Sequence, residues 1–190
     1  MKKLFTILLI SCFAFNTSFA QVEQGTWILG ATSDASNPNG WSNIQLQPTI
    51  GYFLTDQFVL GLGLSFLQQK DEEPDFYEST VTNTSIAPWM RMYFNERFFL
   101  HTGITVSSGS DKTDYDSSTG INDTKNTSGG FGLDVGPGFS LMWGDYVAVE
   151  PAMLIQMASG WQKPDGGDKT KDPSVLSVGF RIGVAVMLGY

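Results

Sequence analysis

The sequence predicts an all-β chain folded as an eight-stranded antiparallel up-and-down transmembrane β-barrel. Three observations carry that expectation. Eight stretches alternate apolar residues with small or polar ones, the period of a strand whose successive side chains point to opposite faces. The connections alternate between very short and long. In the stretches, a continuous bulky face stands opposite a face of glycine, serine, threonine and glutamine. Even strand number with short turns at one end and long loops at the other is the pattern of bacterial outer-membrane barrels.

The chain opens on residues 1–20, which read as a secretory signal peptide. Lys2-Lys3 form the basic start, Leu4 to Phe15 is apolar and uncharged, and Ser18-Phe19-Ala20 is the small-x-small cleavage site that leaves Gln21 first. The run falls short of the ~20 apolar residues of a membrane-spanning helix. Leu9-Ile10-Ser11-Cys12 resembles a lipoprotein box and is the competing processing site. With cleavage after Ala20 the remainder holds no cysteine, so disulfide and thiolate chemistry are absent from it. Without Lys2 and Lys3, nine basic residues face 19 acidic ones, a net charge of −10. No basic cluster exists, which disfavours nucleic-acid binding. Residues 21–190 suit one domain.

The eight stretches are 25–33, 41–54, 58–68, 80–94, 98–108, 128–142, 146–159 and 174–190. Turns Thr55-Asp56-Gln57, Asn95-Glu96-Arg97 and Trp143-Gly144-Asp145 alternate with loops 34–40, 69–79, 109–127 and 160–173, rich in Asp, Ser, Thr, Gly and Pro. In 41–54, Ile44, Leu46, Pro48, Ile50, Tyr52 and Leu54 share one face against Asn43, Gln45, Gln47, Thr49 and Gly51. In 58–68, Phe58, Leu60, Leu62, Leu64 and Phe66 oppose Val59, Gly61, Gly63 and Ser65. In 128–142 a Phe131–Leu141 face opposes Gly130, Gly132, Asp134, Gly136, Gly138 and Ser140; in 174–190 a Leu176–Tyr190 face opposes Ser177, Gly179, Arg181 and Gly183.

A soluble barrel of the lipocalin kind also alternates, but it must fill its inside with bulk. Glycine and small polar residues cannot build a close-packed dry core; they can line a narrow eight-stranded lumen. The bulky face then points outward, into lipid. Tyr52, Phe53, Phe58, Tyr93, Phe94, Phe98, Phe99, Trp143, Tyr146 and Tyr190 gather beside the short turns, and Trp41, Phe66 and Trp161 near the long loops, as two interfacial girdles. Short turns and both termini are expected on the periplasmic side, long loops outside. Pro48, Pro88, Pro137 and Pro151 fall inside strands, where local bulges are the expected accommodation.

Pro48-Thr49-Ile50-Gly51-Tyr52-Phe53, the Thr55-Asp56-Gln57 turn and Leu60-Gly61-Leu62-Gly63-Leu64 resemble the small outer-membrane β-barrel domain family, grouped with the OmpX-like and OmpA-like eight-stranded barrels. The resemblance spans 21–190 and implies an integral outer-membrane protein of the cell envelope. It also implies that Val184, Val186, Leu188 and the terminal Tyr190 are the signal read by the barrel-assembly machinery.

Five charged residues fall on the small face: Arg91, His101, Asp134, Glu150 and Arg181. With Asn95-Glu96-Arg97 as a three-residue turn, Phe94 opposes Phe98 and Arg91 opposes His101. Buried charges need partners, so a lumen charge network is the expectation for all five. Enzymatic activity is not expected, because the one histidine has Gly103 where a deacylase-like His-x-Ser would place its nucleophile. The acidic loop runs at Asp71-Glu72-Glu73-Pro74-Asp75 and at Asp111, Asp114, Asp116 and Asp123 match no EF-hand pattern, and solvated acidic surface is their simplest reading. No cofactor or metal is expected. The partners expected are outer-membrane lipid, lipopolysaccharide and the assembly machinery, around a monomer. The function read from all this is structural or surface-interactive, with a narrow channel for small solutes or apolar compounds as the alternative.

Overall fold

The structure, a computed structural model, describes residues 23–34, 46–73, 77–95, 97–115 and 122–189. The signal peptide, Cys12, Trp41 and Tyr190 lie outside the described residues. Eight strands run in chain order: β1 Trp27–Asp34, β2 Gln47–Thr55, β3 Phe58–Glu73, β4 Tyr77–Tyr93, β5 Phe98–Tyr115, β6 Thr124–Phe139, β7 Val147–Lys163 and β8 Val175–Leu188. Leu141–Trp143 continues β6 past Ser140, because both pieces pair with β7. Thr170–Lys171 is a short return against the end of β7. Each strand pairs antiparallel with its neighbours in sequence, and β8 closes on β1 through Trp27↔Leu188 to Asp34↔Arg181. The result is a closed barrel.

The short turns carry their own hydrogen bonds. Thr55 Oγ1 accepts from the backbone N–H of Gln57 and Phe58, at 3.3 and 3.1 Å. Asn95 Oδ1 does the same for Arg97 and Phe98, at 2.9 and 2.7 Å. These side chains substitute for the ladder where it ends. Gly144, at φ +66°, takes the left-handed position of the third turn.

The long-loop end differs from the expectation. Segment 69–79 is mostly strand, paired to Glu73↔Tyr77. Most of 109–127 is strand as well, paired to Thr113↔Thr124. Strands β3 to β6 therefore rise as a tall wall, while β2 pairs with β3 only as far as Thr49↔Gly63. Backbone ladders continue there between strands polar on both faces, so no hydrophobic alternation marks them. Prolines behave differently from the expected bulges. Register is unchanged from Ile86↔Val106 to Trp89↔Gly103 around Pro88, and from Val135↔Ile155 to Gly138↔Ala152 around Pro137. Each proline interrupts the ladder locally without adding a residue; the one register shift among these pairings is between Phe53 and Thr55.

Outward faces carry the exposed apolar belt, including Leu60, Leu62, Leu64, Met90, Ile104, Val135, Met153, Ile155 and Phe180. Three residues expected in the girdle turn inward instead: Phe53, Tyr93 and Phe99 are buried in the lumen. They join Ile28, Val59, Trp89 and Leu154 in an apolar plug across the short-turn half. Glycines make the plug possible. A Cβ on Gly61 would overlap the Trp89 indole, and one on Gly138 would overlap the Phe99 ring. Small inward residues are thus sockets for rings from neighbouring strands, a packing that reaches interior density in a narrow barrel.

Candidate functional site

Among the rings of this plug the lumen is crossed by charge. Arg91, His101, Asp134, Glu150 and Arg181 come from β4, β5, β6, β7 and β8 in turn, each on the inward parity of its strand. Arg91 and His101 are direct cross-strand partners. Arg91 Nη1 donates to Glu150 Oε2 at 2.6 Å, and the Tyr93 hydroxyl donates to Glu150 Oε1 at 3.2 Å. Arg91 Nε donates to His101 Nδ1 at 3.4 Å. The other ring nitrogen, Nε2, lies 2.9 Å from Asp134 Oδ2. Arg181 Nη1 donates to the same oxygen at 3.2 Å.

His101 Nδ1 faces the donor Arg91 Nε, while Nε2 faces both Asp134 Oδ2 and, at 3.1 Å, the donor Arg181 Nη1. If Nδ1 accepts from Arg91, the proton sits on Nε2 and is donated to Asp134. The imidazole is then neutral, and two guanidinium groups balance two carboxylates. Charge balance matters here, since removing one partner from a buried pair leaves the other uncompensated, at a cost of about 3–5 kcal/mol. Arg91 is further enclosed by aromatic faces, its Cζ lying 4.6 Å from the Trp89 ring centroid and 4.8 Å from that of Phe99. Gly103 leaves room for the Asp134 carboxylate, whose Oδ1 would sit 2.7 Å from a Cβ placed there.

Tyr93, Trp89 and Phe99 are parts of this layer that the sequence reading did not assign to it. Their signal was strand parity, which places them two residues either side of Arg91 or His101. On the long-loop side of the layer lies a small polar cavity lined by Thr32, Gln47, Thr49, Trp89, Thr105 and Arg181. The Trp89 indole N–H is buried without an acceptor among the described residues.

The other sequence-marked residues lie apart from the lumen. Val184, Val186 and Leu188 face outward on β8, and Tyr190 is outside the described residues. The loop carboxylates do not converge: no group of three metal-ligating side chains occurs among the described residues. Lys70 bridges Glu78 at 2.9 Å and Glu72 at 3.6 Å, and Lys112 meets Asp114 at 2.7 Å. Hydrogen bonding to Glu78 and to Asp114 raises these two ammonium groups above their ordinary range. Asp75 and Asp116 are outside the described residues.

No protein-family model matches the sequence, and no curated protein matches it. Solved structures do share its architecture. The attachment invasion locus protein Ail of Yersinia pestis superposes with a TM-score of 0.52 at 12% identity, over 88% of this chain and 100% of that one. The outer membrane protein OprG of Pseudomonas aeruginosa gives a TM-score of 0.48 at 15% identity, over 91% and 100%. The likeness to Ail is one of fold: a closed eight-stranded antiparallel barrel of the small outer-membrane type.

Proposed function

We propose, from a fold shared with small outer-membrane barrels, that this chain is an integral protein of a Gram-negative-type outer membrane with a structural and surface-interactive role. Its short turns and termini face the periplasm, and its tall wall faces outward. The lumen is closed, and the protein is neither a general pore nor an enzyme. One observation carries the closed-lumen reading: the Phe53–Tyr93–Phe99 plug and the Arg91–His101–Asp134–Glu150–Arg181 layer are stacked across the same half of the barrel. Eight strands leave an interior only wide enough for side chains, and here the chains are bulky and mutually bonded. The sole histidine is engaged by arginine and carboxylate rather than held beside a hydroxyl nucleophile.

The second reading, a narrow channel, draws support from the polar cavity above the layer. Conductance in planar bilayers separates the two. The closed-lumen reading expects no steps at 1 M salt from a barrel whose folding is verified. Discrete steps abolished by Arg91→Ala or Glu150→Ala would replace it with the channel.

A further inference from the structure

The cavity on the long-loop side of the charge layer is bordered by more donors than acceptors. Its border includes the cations Arg91 and Arg181, the His101 and Trp89 rings and a single carboxylate, Asp134; Glu150 is not part of it. The hydroxyls of Thr32, Thr49 and Thr105 can each donate as well. The space is about 20 Å³. One water-sized guest needs about 10–15 Å³, so the cavity suits a single small one. The Trp89 indole N–H is buried and has no acceptor among the described residues. Buried donors are almost always satisfied, and an orphan beside a polar cavity calls for a guest that accepts.

The cavity can be reached from the long-loop end. Ser107, Ala158 and Ser177 share the inward parity of His101, Glu150 and Arg181, yet all three are exposed. The rings of Phe53, Tyr93 and Phe99 shut the opposite end. Charge then decides what can stay. With a neutral imidazole the five lumen charges sum to zero, so a monovalent anion would leave the layer one charge negative. A proton on His101 restores the balance. If Nε2–H already serves Asp134, that proton lands on Nδ1 and displaces the contact with Arg91 Nε, at 3.4 Å the longest in the layer. Arg91 keeps Glu150 through Nη1, and the Tyr93 hydroxyl stays on the same carboxylate. Asp134 keeps both His101 and Arg181.

We propose that this cavity binds a small monovalent anion of the halide class, chloride foremost, and that His101 takes up a proton as the anion enters. The Trp89 N–H and the threonine hydroxyls donate to the ion, and Arg91 and Arg181 supply positive charge at its border. Phosphate and sulfate exceed the space. The inference goes beyond the closed-lumen reading, because a blind site binds an ion without passing it.

The test uses the mature chain folded into phosphatidylcholine nanodiscs. Sodium chloride or bromide is titrated against sodium gluconate at constant ionic strength, and the Trp89 indole N–H resonance is followed by NMR. Its loss in Trp89→Phe assigns it. The proposal expects a shift that saturates with either halide and is absent with gluconate, whose anion is too large to enter. Apparent affinity should be about tenfold higher at about pH 5.5 than at about pH 7.5, one unit either side of an ordinary imidazole, because proton and anion bind together. His101→Gln should keep the heat-modifiable gel migration of a folded barrel and lose that pH dependence. Crystals grown in bromide should show an anomalous peak in the cavity. A resonance that ignores halide or follows gluconate equally, or a cavity holding water alone in bromide, would overturn the site. Halide affinity that is the same at both pH values would overturn the linked proton; should His101→Gln fail to fold, the parent's two titrations still decide this. Conductance tests the closed lumen separately, since a blind site gives a saturating shift without current.

Discussion

Trp89 and Gly61 illustrate how single residues set this lumen. The indole lies where a Cβ on Gly61 would have to be, and Gly51 receives its far edge. Gly61→Ala must therefore push the ring off its seat, an overpacking worth about 1–3 kcal/mol, and urea unfolding in lipid vesicles should show the loss. Glu150 is a sharper case, since its two oxygens accept from Arg91 and Tyr93. Glu150→Gln leaves a buried guanidinium without its counter-charge and should lower stability by about 3 kcal/mol. Arg91→Met/Glu150→Leu should cost less than either single change, which the same unfolding assay reads directly. The opposition of Arg91 and His101 was legible in the sequence from the three-residue turn and a count back along both strands. Aromatic crowding beside the short turns points Tyr93 to a girdle, whereas its position two residues from an inward Arg91 places it inside, where it is buried.

At the scale of the strand, lipid is what made the fold readable. Where a face meets the bilayer it must be apolar, so β2 to β8 show clean alternation through the belt and their inward sets could be read residue by residue. Above the belt both faces meet water. The ladder from Gln68↔Thr82 to Glu73↔Tyr77 is held by backbone hydrogen bonds between polar residues, and a polar strand of this kind has the composition of a loop. That is why 69–79 and much of 109–127 read as connections. The belt also gives a sharp prediction. Met153 stands in the outward run Val149, Pro151, Met153, Ile155, Met157 and is well exposed. Met153→Arg should destabilise the folded barrel in vesicles by about 2–4 kcal/mol if that position lies near the bilayer midplane. The same change in a detergent micelle, which deforms around the charge, should cost less.

For the whole molecule, closure distributes the lumen charges unevenly. β1 to β3 contribute none of the five, while β4 to β8 contribute one each. The circuit therefore spans the last five strands of the chain and ends on Arg181 of β8, 47 residues from Asp134 and 80 from His101. A partly built barrel holds Asp134 and His101 together but has no Arg181 between them. Seating β8 one residue out of register would turn Arg181 toward lipid and its apolar neighbours toward the lumen; two residues out would carry the guanidinium past its carboxylate. Either mistake strands a charge, and only one alignment of the final strand neutralises it. Arg181 thus ties the register of β8 to Asp134 and His101, on two strands that are not its neighbours in the sheet.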